Sequence, residues 1–177
     1  ASGKTLEEII EIAKAAKDLA AAGFGRGTPG FEETIRAVSF AQLGPSFGSL
    51  EQIIDGLIAS TNQFNQSLTA TPYILGLVNE FSKAYAVEAQ DLFEAVKRGG
   101  GAFAAVGGNF EEFLTLVTIA REKTREAAPV IGTFLKTLSG RLYTPQAEAA
   151  IKKLGIDLAE VTDPFERLLA ISEALSK

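Results

Sequence analysis

Apolar residues along this chain recur at three- and four-residue intervals, the period of amphipathic helices, and most such stretches open at a recognisable cap. Thr5-Leu6-Glu7-Glu8 has the form of a capping box, in which the hydroxyl accepts from the third helical N–H while Glu8 reaches back. Leu6, Ile9, Ile10, Ala13 and Ala20 then form one stripe, which predicts a helix to about Ala22 with Gly23 as its stop. The loop GFGRGTPG leads into a shorter helix from Phe31 to about Leu43, broken by Gly44-Pro45. Ser49-Leu50-Glu51-Gln52 repeats the capping-box form ahead of Leu50, Ile53, Ile54, Leu57 and Ile58. Thr71-Pro72 supplies a cap and a proline at the first helical position, where its missing N–H costs nothing. The helix it opens runs to about Tyr85 and presents Ile74, Leu77, Val78 and Phe81.

The second half continues in the same way. Glu88 to Arg98 reads as helical, with Lys97 and Arg98 complementing the dipole at its C-terminal end. Gly99-Gly100-Gly101 is expected to act as a helix terminator or flexible joint, and Gly107-Gly108 to end the weakened stretch that follows. Asn109, with Glu112 three residues on, caps a helix whose core face is Phe110, Phe113, Leu114 and Val117. Pro129 opens a helix carrying Ile131, Phe134, Leu135, Leu138 and Leu142. Thr144-Pro145 opens a short helix ending at Leu154-Gly155, and Asp163-Pro164-Phe165-Glu166 opens the last one.

No alternating run bounded by hairpin turns suggests a strand. The predicted fold class is all-α: an irregular multi-helix bundle of about eight or nine amphipathic helices without a sheet. Residues 1–177 are expected to form a single all-helical module, whose glycine cluster marks a boundary between two lobes, 1–98 and 109–177. The segments AAAGFGRGTPGFEETIRAV and AAVGGNFEEFLTLV echo one another, each a helix end, a glycine turn and a Phe-Glu-Glu helix start.

Composition narrows the chemistry more than the fold. With 46% hydrophobic and 22% charged residues, there is ample apolar surface to offset the entropy of ordering, which excludes strong disorder. The net charge of −5 argues against a dedicated nucleic-acid binder, which carries a basic face. Cys and His are both absent, which removes thiolate nucleophiles, disulfides, thiolate metal sites and the commonest general base. No apolar run reaches the roughly 18 residues that suggest a membrane-spanning helix. A chain that begins Ala1-Ser2-Gly3 and contains no Met is expected to be a processed or excised piece of a longer protein.

Each motif with a chemical reading also has a structural one. Ser2-Gly3-Lys4-Thr5 looks like the end of a phosphate-binding loop but lacks the preceding strand and glycine-rich turn. Glu7-Glu8, Glu32-Glu33 and Glu111-Glu112 could suggest paired carboxylates for acid–base work. All three lie in first helical turns, where negative charge complements the dipole. Arg121-Glu122-Lys123-Thr124-Arg125-Glu126 mixes its signs as solvated helix ends do. Phe110, Phe113, Phe134 and Phe165 could line a ligand pocket, but their spacing fits core positions. No residue is therefore a candidate for catalysis, cofactor binding or metal ligation.

The assembled order of parts carries more than any one of them. The segment from Leu77 to Leu142 resembles the conserved region of phage tail tape measure proteins. In that family a helix of the type "edl.eal" precedes a small-residue stretch and a glycine turn. A helix with acidic residues near its start follows, then one of the type "iGtalktifaRl". The last is matched here by Ile131-Gly132-Thr133-Phe134-Leu135-Lys136-Thr137-Leu138-Ser139-Gly140-Arg141-Leu142. The family's "aLkelGId" is matched by Ile151-Lys152-Lys153-Leu154-Gly155-Ile156-Asp157, and its closing helix by Pro164 to Leu175. AKAAKDLAAAGF resembles the family's "la.aGl" helix, and Ile54 to Ser67, with Asn62 and Phe64, its "ltaa.nafgls" stretch. Leu75 and Leu77 stand where the family often has Asp.

The resemblance implies a non-catalytic virion structural protein that sets tail length, supports tail assembly and takes part in DNA ejection. The partners it implies are tail tube and tail tip proteins, tail assembly chaperones and other copies of itself, with no sequence-specific nucleic acid and no cofactor. The location it implies is the tail lumen, after assembly in the bacterial host cytoplasm. The Ala- and Gly-rich helices are also compatible with membrane contact during ejection. Two rival readings from other classes are a helical peptide- or ligand-binding module without catalysis, and an enzyme using carboxylates or a Ser-Lys pair. The lack of His and of a nucleophile motif disfavours the enzyme.

Overall fold

The capping boxes legible in the sequence are formed. Thr5, Ser49 and Asn109 each accept a hydrogen bond from the backbone N–H three residues on, and the side-chain oxygens of Glu8, Gln52 and Glu112 accept one from the backbone N–H of the cap residue. The computed structural model describes residues 5–153, 155–158 and 160–175. Among them are nine α-helices and no strand, so the all-α class read from periodicity is the class adopted. In chain order these are α1 (Leu6–Ala21), α2 (Phe31–Ala41), α3 (Leu50–Gln63), α4 (Thr71–Tyr85) and α5 (Ala89–Ala105). They continue with α6 (Phe110–Thr124), α7 (Ala128–Leu142), α8 (Pro145–Lys153) and α9 (Pro164–Leu175). A short 3-10 turn, Leu68–Ala70, leads into α4. The chain divides into two compact units, Ala1–Glu94 and Ala95–Lys177, with the division inside α5.

In the first unit Val38, Ile53, Ile54, Leu57, Leu68, Ile74, Val78 and Leu92 are fully buried. Phe93 completes this core, 6.4 Å from the Phe47 ring between centroids. Its ring lies directly on Gly56 of α3, where a Cβ would collide with it. The stripe read on α1 does not face this core. Leu6, Ile9, Ile10, Ala13 and Ala20 are exposed, whereas Ala15 and Leu19 are buried. At 3.6 residues per turn, the buried face lies about half a turn around the helix from the exposed stripe. α1 carries a second apolar row, Ile12, Ala15, Ala16 and Leu19, and packing uses that one.

In the second unit α6 buries Phe110, Phe113, Leu114 and Val117, the face expected of it. Phe113 meets Phe103 with ring centroids 5.8 Å apart. The glycine cluster departs from expectation. Gly99, Gly100 and Gly101 neither stop nor hinge the chain but lie within continuous α5, which leaves Lys97 and Arg98 in mid-helix. At Gly99 the reason is close approach to α7. A Cβ on Gly132 would lie 2.5 Å from the Ala95 carbonyl oxygen and 2.8 Å from its Cα, and one on Gly99 would collide with the Gly132 carbonyl oxygen. α5 ends instead at Gly107, whose φ of +105° lets its N–H donate to Ala104 and that of Gly108 to Phe103. Phe134, placed by its spacing among core positions, is 59% exposed. After α8, the Gly155 N–H donates to the Lys152 carbonyl and the Ile156 N–H to that of Ile151, the stop expected there. Leu154 itself lies outside the described residues.

Backbone contact between α5 and α7 makes Gly132 intolerant of any side chain. Gly132→Ala should lower stability by about 1–3 kcal/mol through overpacking. Gly140→Ala, on the same helix with nothing within 4 Å of the added Cβ, should be neutral or stabilising by up to about 1 kcal/mol. Urea denaturation of the two variants measures the difference, and equal effects would count against the contact.

Candidate interaction surfaces

The carboxylate pairs singled out in the sequence do not assemble into a site. Glu8 Oε2 accepts from the Thr5 N–H at 2.8 Å, and Glu112 Oε2 from the Asn109 N–H at 2.9 Å. Both are spent on helix ends. Glu7, Glu32 and Glu111 occupy first turns as expected. Residues 122–126 of the mixed-charge run are exposed, with Arg125 in the left-handed conformation that closes α6. Phe110 and Phe113 are core, Phe134 is at the surface and Phe165 is half-buried, so the four line no common pocket. Ser2, Gly3 and Lys4 lie outside the described residues. Among those described, no group of three or more acidic residues could hold a metal, and no helix is long and apolar enough to cross a membrane.

Two features not anticipated from the sequence stand out. The first is an open apolar cleft between α2 and α4. Ala37, Ala41, Phe47, Leu75 and Gly76 help to line it, and no charged residue does. Phe40 and Leu43 on its α2 side are 78% and 79% exposed. A buried polar contact holds its walls: the Thr34 hydroxyl lies 2.8 Å from that of Thr71 and 3.3 Å from the Leu68 carbonyl oxygen. Thr71, expected as a cap, therefore makes no side-chain cap bond and spends its hydroxyl across the helix pair. The only local signal for the cleft was that α2 carries more apolar residues than one buried face can take.

The second feature is Arg167 of α9, buried to 6% exposure. Its Nη1 donates to the Val161 carbonyl oxygen at 3.1 Å and, more weakly, to that of Leu158 at 3.5 Å. Nη2 pairs with Glu148 of α8 at 3.0 Å. The guanidinium carbon lies 4.6 Å from the centre of the Tyr143 ring, a cation–π contact. The Tyr143 hydroxyl donates to the Thr162 carbonyl oxygen at 3.0 Å. Burial pushes the Tyr143 phenol above its ordinary 10.0, with Arg167 opposing and Asp163 adding to the shift. No local pattern marks Arg167, because its hydrogen-bond partners lie up to 19 residues away and Tyr143 lies farther still.

The first feature is an exposed apolar surface, and the second ties helix ends together. The sequence profile of phage-related minor tail proteins matches residues 1–177. The chain belongs to the phage-related minor tail protein family. No solved structure matches it. As a phage tail component, this minor tail protein meets other tail proteins, and the uncharged α2–α4 cleft has the character of a contact surface.

Thr34→Val strands the buried Thr71 hydroxyl and should cost about 1–3 kcal/mol in chemical denaturation. Thr137→Val, at an exposed position, should stay within about 0.5 kcal/mol. For Tyr143 the folded chain holds the phenolic proton more tightly than the unfolded chain. The contribution is intact below pH 10.0 and is lost as pH rises past that value toward the folded pKa. In a Tyr73→Phe, Tyr85→Phe background, ultraviolet titration should give a Tyr143 midpoint above 10.0, and a midpoint at or below it would refute the shift.

Proposed function

We propose that this minor tail protein is a helical domain of a tail tape measure protein, acting structurally rather than catalytically. The supporting observation is the order of parts from α5 to α9 within a chain whose whole length matches the minor tail family. α7 carries the segment Ile131 to Leu142 that resembles the tape measure pattern, and its Gly132 is the residue that lets α7 approach α5. The spacing of glycine and apolar positions in that segment thus has a packing reason. In this reading the chain acts as one helical module of two lobes, sets tail length, and occupies the tail lumen until DNA ejection. Its partners are tube and tip proteins, assembly chaperones and other copies of itself, met through apolar surfaces such as the α2–α4 cleft. It is made in the host cytoplasm.

Electron microscopy of phage particles tests this. In-frame deletions and duplications in the reading frame that encodes this chain should shorten and lengthen the tails in proportion, by roughly 1.5 Å per residue for a helical ruler. Intact tails of unchanged length would assign the chain to another minor tail role.

A further inference from the structure

The end of the second unit is fastened differently from the rest of it. α6 buries five residues, Phe110, Phe113, Leu114, Val117 and Thr118. α7 buries Ile131, Leu135 and Leu142 along with Ala128, Gly132 and Ser139. α8 buries none. Among the described side chains beyond Lys153, those buried are Leu158, Pro164 and Arg167. Apolar burial is the main source of cooperative stability, and segments with little of it open below the global unfolding free energy.

One guanidinium ties α8 and α9 to the segment between them and to the end of α7. Arg167 engages α8 through Glu148, the connecting segment through the Val161 and Leu158 carbonyls, and the residue after α7 through the Tyr143 ring. The planar fork of arginine suits such a node, since its donors diverge in fixed directions. The node is also weak in net terms. Among the described residues Arg167 Nε has no partner, so its desolvation is only partly compensated. The Glu148 side chain is 52% exposed, so water competes for the pair.

We propose that α8, α9 and the described residues between them form a latch, pinned to the end of α7 by Arg167, which opens as a unit while α5 to α7 stay folded. The latch is independent of the tape measure reading. Hydrogen exchange measured by mass spectrometry on the whole chain tests it. Amides of α8 and α9 should be protected, yet exchange at least about tenfold faster than those of α6. Arg167→Met should accelerate exchange in 147–153 and 166–174 by a further tenfold or more. That factor corresponds to about 1.4 kcal/mol, near the lower end for hydrogen bonds to a charged group. Exchange in α6 should stay within about twofold, the spread left by a change of a few tenths of a kcal/mol. Glu148→Gln, at a half-exposed carboxylate, should produce a smaller acceleration confined to the same segments, and it serves if Arg167→Met does not fold. Acceleration spread evenly over α5 to α9 would show one cooperative unit and overturn the latch. So would unchanged exchange in 145–175 in both variants, or no protection there in the wild-type chain.

Discussion

The second unit depends on the near-contact of two backbones. α5 and α7 come so close at Gly99, Gly132 and Ala95 that no Cβ fits between them at either glycine. Three consecutive glycines in a helix cost about 1 kcal/mol each relative to alanine, and in isolation they would fray it. Here the backbone of Gly99 is itself part of the packing surface, and the helix that propensity would interrupt runs on to Ala105. That continuation brings Phe103 to the Phe113 ring and carries α5 to its left-handed stop at Gly107. The same economy recurs in the first unit, where Gly56 makes room for the Phe93 ring.

The distribution of charge follows a related logic. A chain without Cys or His has few ways to do chemistry, and its carboxylates go largely to helix termini. Glu8 and Glu112 complete capping boxes, and the remaining first-turn acids sit against exposed backbone N–H groups. The buried cation Arg167 joins helix ends and connecting backbone rather than facing a pocket of reacting groups. Its membership of a phage tail family gives the chain a structural setting. Its apolar residues do more than fill cores. The α1 stripe, Phe134 and the Phe40–Leu43 edge of the cleft all remain at the surface.

Helix starts and stops were legible because they are decided within four residues. The hydroxyl or amide that caps Thr5, Ser49 or Asn109 and the side chain that answers it are three positions apart, and Gly155 ends α8 by bonds that span a single turn. The core face of α6 was equally plain, since Phe110, Phe113, Leu114 and Val117 fall on one row and only Ile119 among the large apolar residues stands opposite, at the surface. α1 has two such rows, and periodicity alone cannot say which meets a partner. Its Leu6, Ile9 and Ile10 row was the stronger hydrophobic signal and is the exposed one.

Sequence by itself thus determined the all-α class, the capping boxes and most helix boundaries. These follow from local hydrogen bonding, side-chain period and composition. Tertiary structure alone decided that α5 continues through the glycine cluster and packs at Gly99, which row of α1 is buried, that Thr71 bonds Thr34 instead of capping, and that Arg167 gathers partners from three segments. Each of those depends on which distant backbone or side chain arrives at a given face. A three-residue period encodes that a face exists, and only the neighbour packed against it settles what the face does.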